Sequence, residues 1–274
     1  MLETTDGKKV KIEFGSIHEF VDYITKTPLN DSFRWAKLSS TSSGSYWYGT
    51  KSFEEASDLL RHGWPDMSEK LNTKLKAEGK MEPAYVSKIV YDVQGFQPIV
   101  PLYLQGVPTS MASRKKVVMK QKVITINKDV SYNGGTTTDT MMEESIKAFR
   151  IIKRLESQGY RVNLNVCLGT KRWPSSNGNT SEQYYVRIRV KSANEKLNVS
   201  KLAFPLVNPS MLRRILFRFI EVYPSVSKSF VNGYGYPAND KDMKREFDGI
   251  TLPAFISTDI DKIKNLEDIK GLKI

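Results

Sequence analysis

A strand, a long helix and a second strand follow one another between residues 117 and 168, and this succession limits the fold more than any other feature. Val117–Lys128 is rich in apolar residues, Met142–Leu155 carries an apolar stripe at helical spacing, and Arg161–Leu168 alternates apolar and polar residues. A strand–helix–strand unit of this length is most simply a right-handed parallel crossover. We therefore expect an α/β fold in which helices flank a mixed or mostly parallel sheet.

The sequence before this unit has a different texture and predicts a smaller α+β region. Helices at about 53–61 and 67–78 precede Ala84–Met111, a segment rich in proline and glycine. Such a composition favours irregular structure, broken here by a short strand near Val86–Asp92 and a helical turn near Pro101–Gln105. We place the domain boundary between an N-terminal region, residues 1–112, and an α/β core domain, residues 113–274.

Positive charge is concentrated in one stretch of the chain. The 274 residues have a net charge of +12, and residues 144–218 carry 15 Lys and Arg against 4 Asp and Glu. Within this stretch Gln183–Lys191 alternates as a strand does, which places four of its side chains on one face. They are Tyr185, Arg187, Arg189 and Lys191.

Other bases of the same stretch extend this predicted surface. They are Lys171 and Arg172, followed by Trp173, and the helical residues Arg213, Arg214 and Arg218. Arginine and lysine contact phosphates, and aromatic rings such as Tyr185 and Trp173 stack on nucleic-acid bases. The pattern thus predicts a site for DNA or RNA. The alternative is a solvated sheet face and a solvated helix face, which is what such charge runs usually indicate.

The composition excludes several other classes of protein. One cysteine, Cys167, cannot form an intramolecular disulfide, and with only His18 and His62 it cannot build a common zinc site. No run of about 18 apolar residues occurs, and charges occupy the N-terminus, so we expect a soluble intracellular protein without a membrane segment.

Several segments recur in a fixed order in a known group of proteins. Tyr46–Leu71 contains the run Trp-Tyr-Gly-Thr-Lys-Ser-Phe-Glu-Glu-Ala, followed by Gly63-Trp64. Later segments are Tyr91–Gly95, Pro101–Pro108 with Met111, Leu155–Tyr160 and Arg187–Arg214. In these segments the chain resembles a family of uncharacterised proteins of tailed phages and their hosts. The resemblance implies a phage or prophage origin and a location in the host-cell cytoplasm or in the virion, and it implies no activity.

A second resemblance concerns the residues that follow the strands. Asp129, Ser131 and Asn133 follow one strand, Thr170 lies after the next, and Asp259 after the last. This placement resembles the metal-adhesion site of von Willebrand factor A-like domains, although Asn133 replaces a serine and two glycines are inserted. The resemblance implies Mg²⁺ bound by Asp129 and Ser131, since oxygen ligands suit that ion. The alternative is a polar loop that caps the following helix.

Three functions follow from these patterns. The first is a non-enzymatic nucleic-acid-associated protein of phage origin that binds phosphates through the basic strand and helix surface. The second is a protein-interaction module or virion component, built on a von Willebrand A-like core, that engages a host or phage protein. The third is an enzyme acting on a phosphate ester in the Asp129–Thr138 loop. The sequence supplies no set of catalytic residues, because no histidine lies beside a candidate nucleophile.

Overall fold

The chain folds around a large β-sheet flanked by helices. The structure, a computed structural model, describes residues 1–29, 38–41, 45–75, 85–118, 122–172, 182–229, 233–257 and 268–269. The strands are β1 (Leu2–Asp6), β2 (Lys9–Phe14), β3 (Tyr85–Asp92), β4 (Gln97–Pro98), β5 (Met111–Val118), β6 (Val123–Asp129), β7 (Arg161–Lys171), β8 (Gln183–Lys191), β9 (Tyr236–Pro237) and β10 (Ile250–Leu252).

The helices are α1 (Ile17–Lys26), α2 (Leu38–Thr41), α3 (Ser45–Tyr48), α4 (Phe53–His62), α5 (Pro65–Leu75), α6 (Val100–Leu104), α7 (Thr138–Ser157), α8 (Val199–Val207), α9 (Phe217–Val222), α10 (Pro224–Ser229) and α11 (Asp240–Glu246). A π-helical segment, Met211–Leu216, runs directly into α9. No helix among the described residues is both long and apolar enough to cross a membrane.

The large sheet contains parallel and antiparallel strand pairs. Its order is β1-β2-β8-β7-β6-β10, with β9 paired to β7. The pairs β2–β8, β6–β7 and β6–β10 are parallel, whereas β1–β2 and β7–β8 are antiparallel. The mixed sheet confirms the predicted fold class, and α7 connects the parallel strands β6 and β7 as the sequence predicts.

Helix α7 shows why the crossover forms where it does. The Thr137 side chain accepts a hydrogen bond from the backbone N–H of Thr140, which caps the first turn at 3.3 Å. Phe149, Ile152 and Leu155 are buried against the sheet. The acidic first turn and the basic last turn complement the helix dipole. The spacing of Thr140 and Glu143 in the sequence predicts a capping box at Thr140, whereas the helix begins two residues earlier, at Thr138.

One apolar core covers the helical face of the sheet and includes the N-terminal elements. Ile12 of β2, Leu164 of β7 and Val186 of β8 lie in this core together with Phe20 of α1 and Leu60 of α4. Because β2 pairs with β8 along its whole length, and α1, α4 and α5 contribute to the same core, these N-terminal elements belong to the same folding unit as the later strands. The predicted division into residues 1–112 and 113–274 is therefore wrong for these elements.

The opposite face of the large sheet is covered over a smaller area by α11. Cys167 and Tyr185 point to this face and pack with Met243 and Phe247. Gly169 lies below the helix, where a Cβ atom would come within 2.3 Å of the Met243 sulfur. Tyr185 is consequently part of a packed cluster.

Residues 85–118 form a separate three-stranded antiparallel sheet of order β3-β5-β4, with α6 in the loop between β4 and β5. We call this unit the arm. The predicted strand near Val86–Asp92 and the helical turn near Pro101–Gln105 are both present. The predicted strand that follows begins only at Val117, whereas β5 begins at Met111 and pairs with β3 in full register.

Candidate functional site

The predicted basic face of β8 does not form one exposed strip. Tyr185 is fully buried, with its ring edge-on to Phe247 at 6.2 Å, so it is not placed to stack on a base. Arg187 lies 2.5 Å from Glu13 of the neighbouring strand β2 and 5.5 Å from the Phe247 ring centre. The prediction of a continuous basic strip fails because β2 and α11 cover this part of the face.

Lys191 leaves the predicted face because the strand contains a β-bulge. On β7, Asn165 pairs with Arg189 and the preceding residue, Leu164, pairs with Lys191. Val190 of β8 therefore has no partner on β7 and is the extra residue of the bulge. Lys191 thereby turns toward the helical face. Its ammonium group is buried, 2.7 Å from Glu156 and 3.0 Å from the carbonyl oxygen of Val162.

The bases at the end of β7 are also engaged. Lys171 forms an ion pair with Asp242 of α11 and is largely buried. Arg172 is more exposed and lies 3.9 Å from Glu182. Trp173 lies outside the described residues. The ion pair of Lys171 holds α11 on the sheet, which is a structural role.

Arg213 is buried and binds backbone carbonyl groups. Its Nη1 donates to the Trp47 oxygen at 2.5 Å, and its Nη2 donates to the oxygens of Gly134 and Thr136 at 3.1 and 3.0 Å. The guanidinium lies 4.3 Å from the Trp47 ring centre. Arg213 therefore joins α3 to the loop that precedes α7, and burial lowers its pKa.

Arg214 and Arg218 have comparable structural contacts. Arg214 is fully buried, stacks over Tyr48 at 4.3 Å and donates to three carbonyl oxygens. Arg218 lies 3.8 Å from the fully buried Glu221 and 5.6 Å from the Phe53 ring centre. The predicted exposed helix face of Arg213, Arg214 and Arg218 is wrong, because the Arg213 and Arg214 side chains are buried and the Arg218 side chain is largely buried.

The exposed base Arg189 lies at a small cleft with other basic side chains. The cleft has a volume of about 200 Å³, and Arg61, His18 and Lys201 contribute to its wall, as does the acidic Glu195. Arg61 is paired with Asp22 at 2.8 Å. Of the predicted nucleic-acid residues, Arg189 thus remains best placed to meet a polyanion.

The residues of the predicted Mg²⁺ site are buried and bonded to one another. Asp129 accepts the backbone N–H of Ser131 at 2.8 Å, and the Ser131 hydroxyl accepts the N–H of Gly169 at 3.1 Å. Burial raises the pKa of Asp129 to about 6. Among the described residues no cluster of three or more His, Cys, Asp or Glu side chains is placed to hold a metal. The arrangement fits a turn between β6 and α7, and Asp259 lies outside the described residues.

The arm is the largest feature that the charge analysis missed. Its strands are held by the full register of β3 with β5 and by an ion pair of 2.8 Å between Asp92 and Lys115. Gly95 permits the turn back to β5, because a Cβ atom there would lie 2.1 Å from the Ala112 oxygen. None of the extensive contacts between elements joins the arm to the rest of the described chain. The arm therefore projects from the body of the protein.

Large apolar side chains of the arm face solvent. They are Ile89, Tyr91, Val93, Phe96, Val100, Tyr103 and Leu104, each between 55 and 77% exposed. In the strand register Ile89 lies opposite Arg114 and Tyr91 opposite Ala112, so these share one face. Val100, Tyr103 and Leu104 are spaced i, i+3 and i+4 on one side of α6. Exposed apolar area of this extent marks interaction surfaces.

Charge is distributed unevenly along the arm. The loop between β3 and β5, residues 93–110, contains no Asp, Glu, Lys or Arg, and we call it the tip. The bases of the arm lie on its strands: Lys88, Arg114, Lys115 and Lys116. This run of 18 uncharged residues in a chain that is 26% charged is the sequence signal that identifies the arm.

Comparison with known proteins gives a family and no described relative. No curated protein matches the chain, and no solved structure matches it. Residues 2–272 match the model of a family described as "Domain of unknown function (DUF7192)".

Proposed function

The chain belongs to the DUF7192 family, and from its surface we propose that it is a non-enzymatic interaction protein that docks through its arm. The observation that carries the proposal is the set of seven large apolar side chains exposed on a projecting unit. Leaving such a surface in water is unfavourable, at about 25 cal/mol per Å² of apolar area. A partner that covers the tip recovers this free energy.

The contacts of the residues predicted to form a basic surface also support docking through the arm. Arg213 and Arg214 bind backbone carbonyl oxygens, and Lys171, Arg187 and Lys191 are paired with carboxylates. Side chains engaged in this way are poorly available to phosphates. The aliphatic side chains of the tip, in contrast, suit a protein partner better than a nucleic-acid backbone, which binds through charge.

Site-specific photo-crosslinking tests the proposal in the cells that produce the protein. A photoreactive amino acid replaces Tyr103 at the tip or, as a control, Tyr46, which is 99% exposed on α3. We expect a discrete crosslinked product at position 103 and none at position 46. If position 103 yields no product while the protein is folded and abundant, the arm is not a docking surface.

Nucleic-acid binding is the second candidate function, and the cleft at Arg189 favours it. Arg61, Arg189 and Lys201 line this cleft beside the start of α1. Each phosphate contact contributes a slope of about −0.9 to the dependence of log affinity on log salt for duplex DNA. Fluorescence anisotropy with single-stranded and duplex DNA and RNA measures this slope directly.

Charge-reversal variants separate specific contacts from general attraction. We expect Arg189→Glu with Lys201→Glu to weaken binding and to reduce the salt slope by about two if the cleft holds phosphates. Lys70→Glu, an exposed change on α5, is the matched control. Equal binding by the double variant and the control would exclude the cleft, and no binding at low salt would exclude this function.

A further inference from the structure

The arm lacks an apolar core of its own. Between residues 87 and 116 the buried side chains are Ser110 and Ala112, and α6 has no buried residue. A sheet of two or three short strands needs a packed face to be stable in water. The full register of β3 with β5 therefore implies that another surface packs on the arm.

The body of the same chain offers no matching surface among the described residues. The remaining exposed large apolar side chains lie in four separate places in the sequence: Met1 with Leu2, Tyr46 with Trp47, Val123, and Phe255. None of these groups approaches the size of the apolar surface on the arm. The described surface that matches it in size and character is the arm of another copy of the chain.

The exposed area agrees with what a stable dimer needs. On a scale of 150–250 Å² for one whole aromatic side chain, the five exposed side chains of the tip, Val93, Phe96, Val100, Tyr103 and Leu104, present roughly 500 Å². A specific interface needs about 1,000 Å² in total, which is about 500 Å² on each partner. Pairing two tips therefore reaches the size of a small specific interface without a further contribution from the body.

The charges of the arm also permit self-association. The tip carries no charged residue, so two tips in contact bring no like charges together. Lys88, Arg114 and Lys116 lie on the strands, outside the tip, so a two-fold contact of tip against tip keeps these bases out of its centre. Like-charge repulsion is then confined to the rim of the interface.

We propose that the chain forms a two-fold symmetric dimer in which the tip of one arm packs against the tip of a second copy. The contact centres on Tyr103 and Leu104 of α6 and includes Phe96. This inference rests on the proposed docking function of the arm and specifies its partner. Aromatic and leucine side chains at the centre of an interface commonly dominate its free energy.

Sedimentation velocity over a wide range of concentrations tests the proposal with the full chain. We expect the wild type to sediment at twice the chain mass. Leu104→Glu, and separately Tyr103→Glu, should weaken dimerisation at least ~30-fold, because each places a charge in the apolar contact. Tyr46→Glu, off the arm, should leave the dimer unchanged. Both arm positions are exposed, so circular dichroism should show that the large sheet and its helices keep their fold.

Four results would overturn this inference. A wild-type monomer at every concentration excludes the dimer, and a dimer that persists in both arm variants places the interface elsewhere. Flotation of the monomer with phosphatidylcholine vesicles, lost in Leu104→Glu, assigns the tip to a lipid surface instead. A crosslinked product at position 103 whose mass is not that of two chains excludes a second copy while leaving the docking function of the arm intact.

Discussion

Replacing Arg214 by methionine removes three hydrogen bonds from a buried place and keeps most of the side-chain volume. Arg214 Nη1 donates to the Ser39 oxygen at 2.9 Å, and Nη2 donates to the oxygens of Thr50 and Lys51 at 3.0 and 3.1 Å. Methionine donates no hydrogen bond, so these carbonyl groups lose a donor. The variant therefore measures how strongly the arginine holds the segment between α3 and α4 against the core.

The structure sets the size of the expected loss. A buried polar group left without its partner costs about 1–3 kcal/mol, which gives roughly 3–9 kcal/mol for three carbonyl groups. Removing the charge also removes the cost of burying it, so we expect a net loss of about 3–5 kcal/mol. With an unfolding entropy of about 2.1 cal/mol/K per residue, the melting temperature falls by roughly 5–9 °C.

Urea unfolding followed by tryptophan fluorescence, together with thermal unfolding, measures this loss. Arg189→Met is the matched control, because Arg189 is exposed and its replacement is expected to change the free energy of unfolding by less than about 0.5 kcal/mol. A loss below about 1 kcal/mol for Arg214→Met would refute the reasoning, since the three carbonyl groups would then not depend on the guanidinium.

Two further predictions concern Gly49 and Asp129. Both glycines compared here, Gly49 and Gly106, have positive φ, but only at Gly49 would a Cβ atom clash, 2.5 Å from Asn208 Oδ1. Gly49→Ala should therefore lower the free energy of unfolding in urea by about 1–3 kcal/mol more than Gly106→Ala does. Equal losses would contradict this. Burial raises the pKa of Asp129 to about 6, above the value of about 3.9 in an unfolded chain, so its contribution to stability falls as pH rises from about 4 to 6. The free energy of unfolding of Asp129→Asn, measured relative to the wild type, should therefore rise by roughly 2–3 kcal/mol from pH 4 to pH 7. The same difference between variant and wild type at both pH values would contradict this prediction.

The periodic elements of the fold were predictable because their signals are local. The apolar stripe of α7 and the alternation of Arg161–Leu168 identify the crossover, and the spacing Ser52…Glu55 identifies the start of α4, where the Ser52 side chain accepts the Glu55 N–H at 3.1 Å. The pairing of β2 with β8 was not predictable, since it joins residues more than 170 positions apart. The single core of the structure therefore corresponds to two separate regions in the sequence-based prediction.

The basic residues show why charge patterning alone misleads. Arg214 binds backbone carbonyl oxygens, and since every residue has a carbonyl group, nothing in the sequence marks these as its partners or reveals its burial. The alternation at Arg187, Arg189 and Lys191 predicts one face, but the bulge at Val190 changes the face for Lys191. The tip of the arm is identified by a lack of charge. Its long uncharged run contains glycines and prolines, a composition that on its own predicts a loop.

Hydrogen exchange of the arm, read by mass spectrometry, tests the central claim most directly. Peptides from β3 and β5 report whether a partner covers the arm, and peptides from β6 and β7 serve as the internal reference. We predict that the β3 and β5 amides are protected where the wild type is associated, and that dilution or Leu104→Glu accelerates their exchange without affecting β6 and β7. Exchange in β3 and β5 that is the same in the wild type and in Leu104→Glu at every concentration would contradict an arm stabilised by a partner.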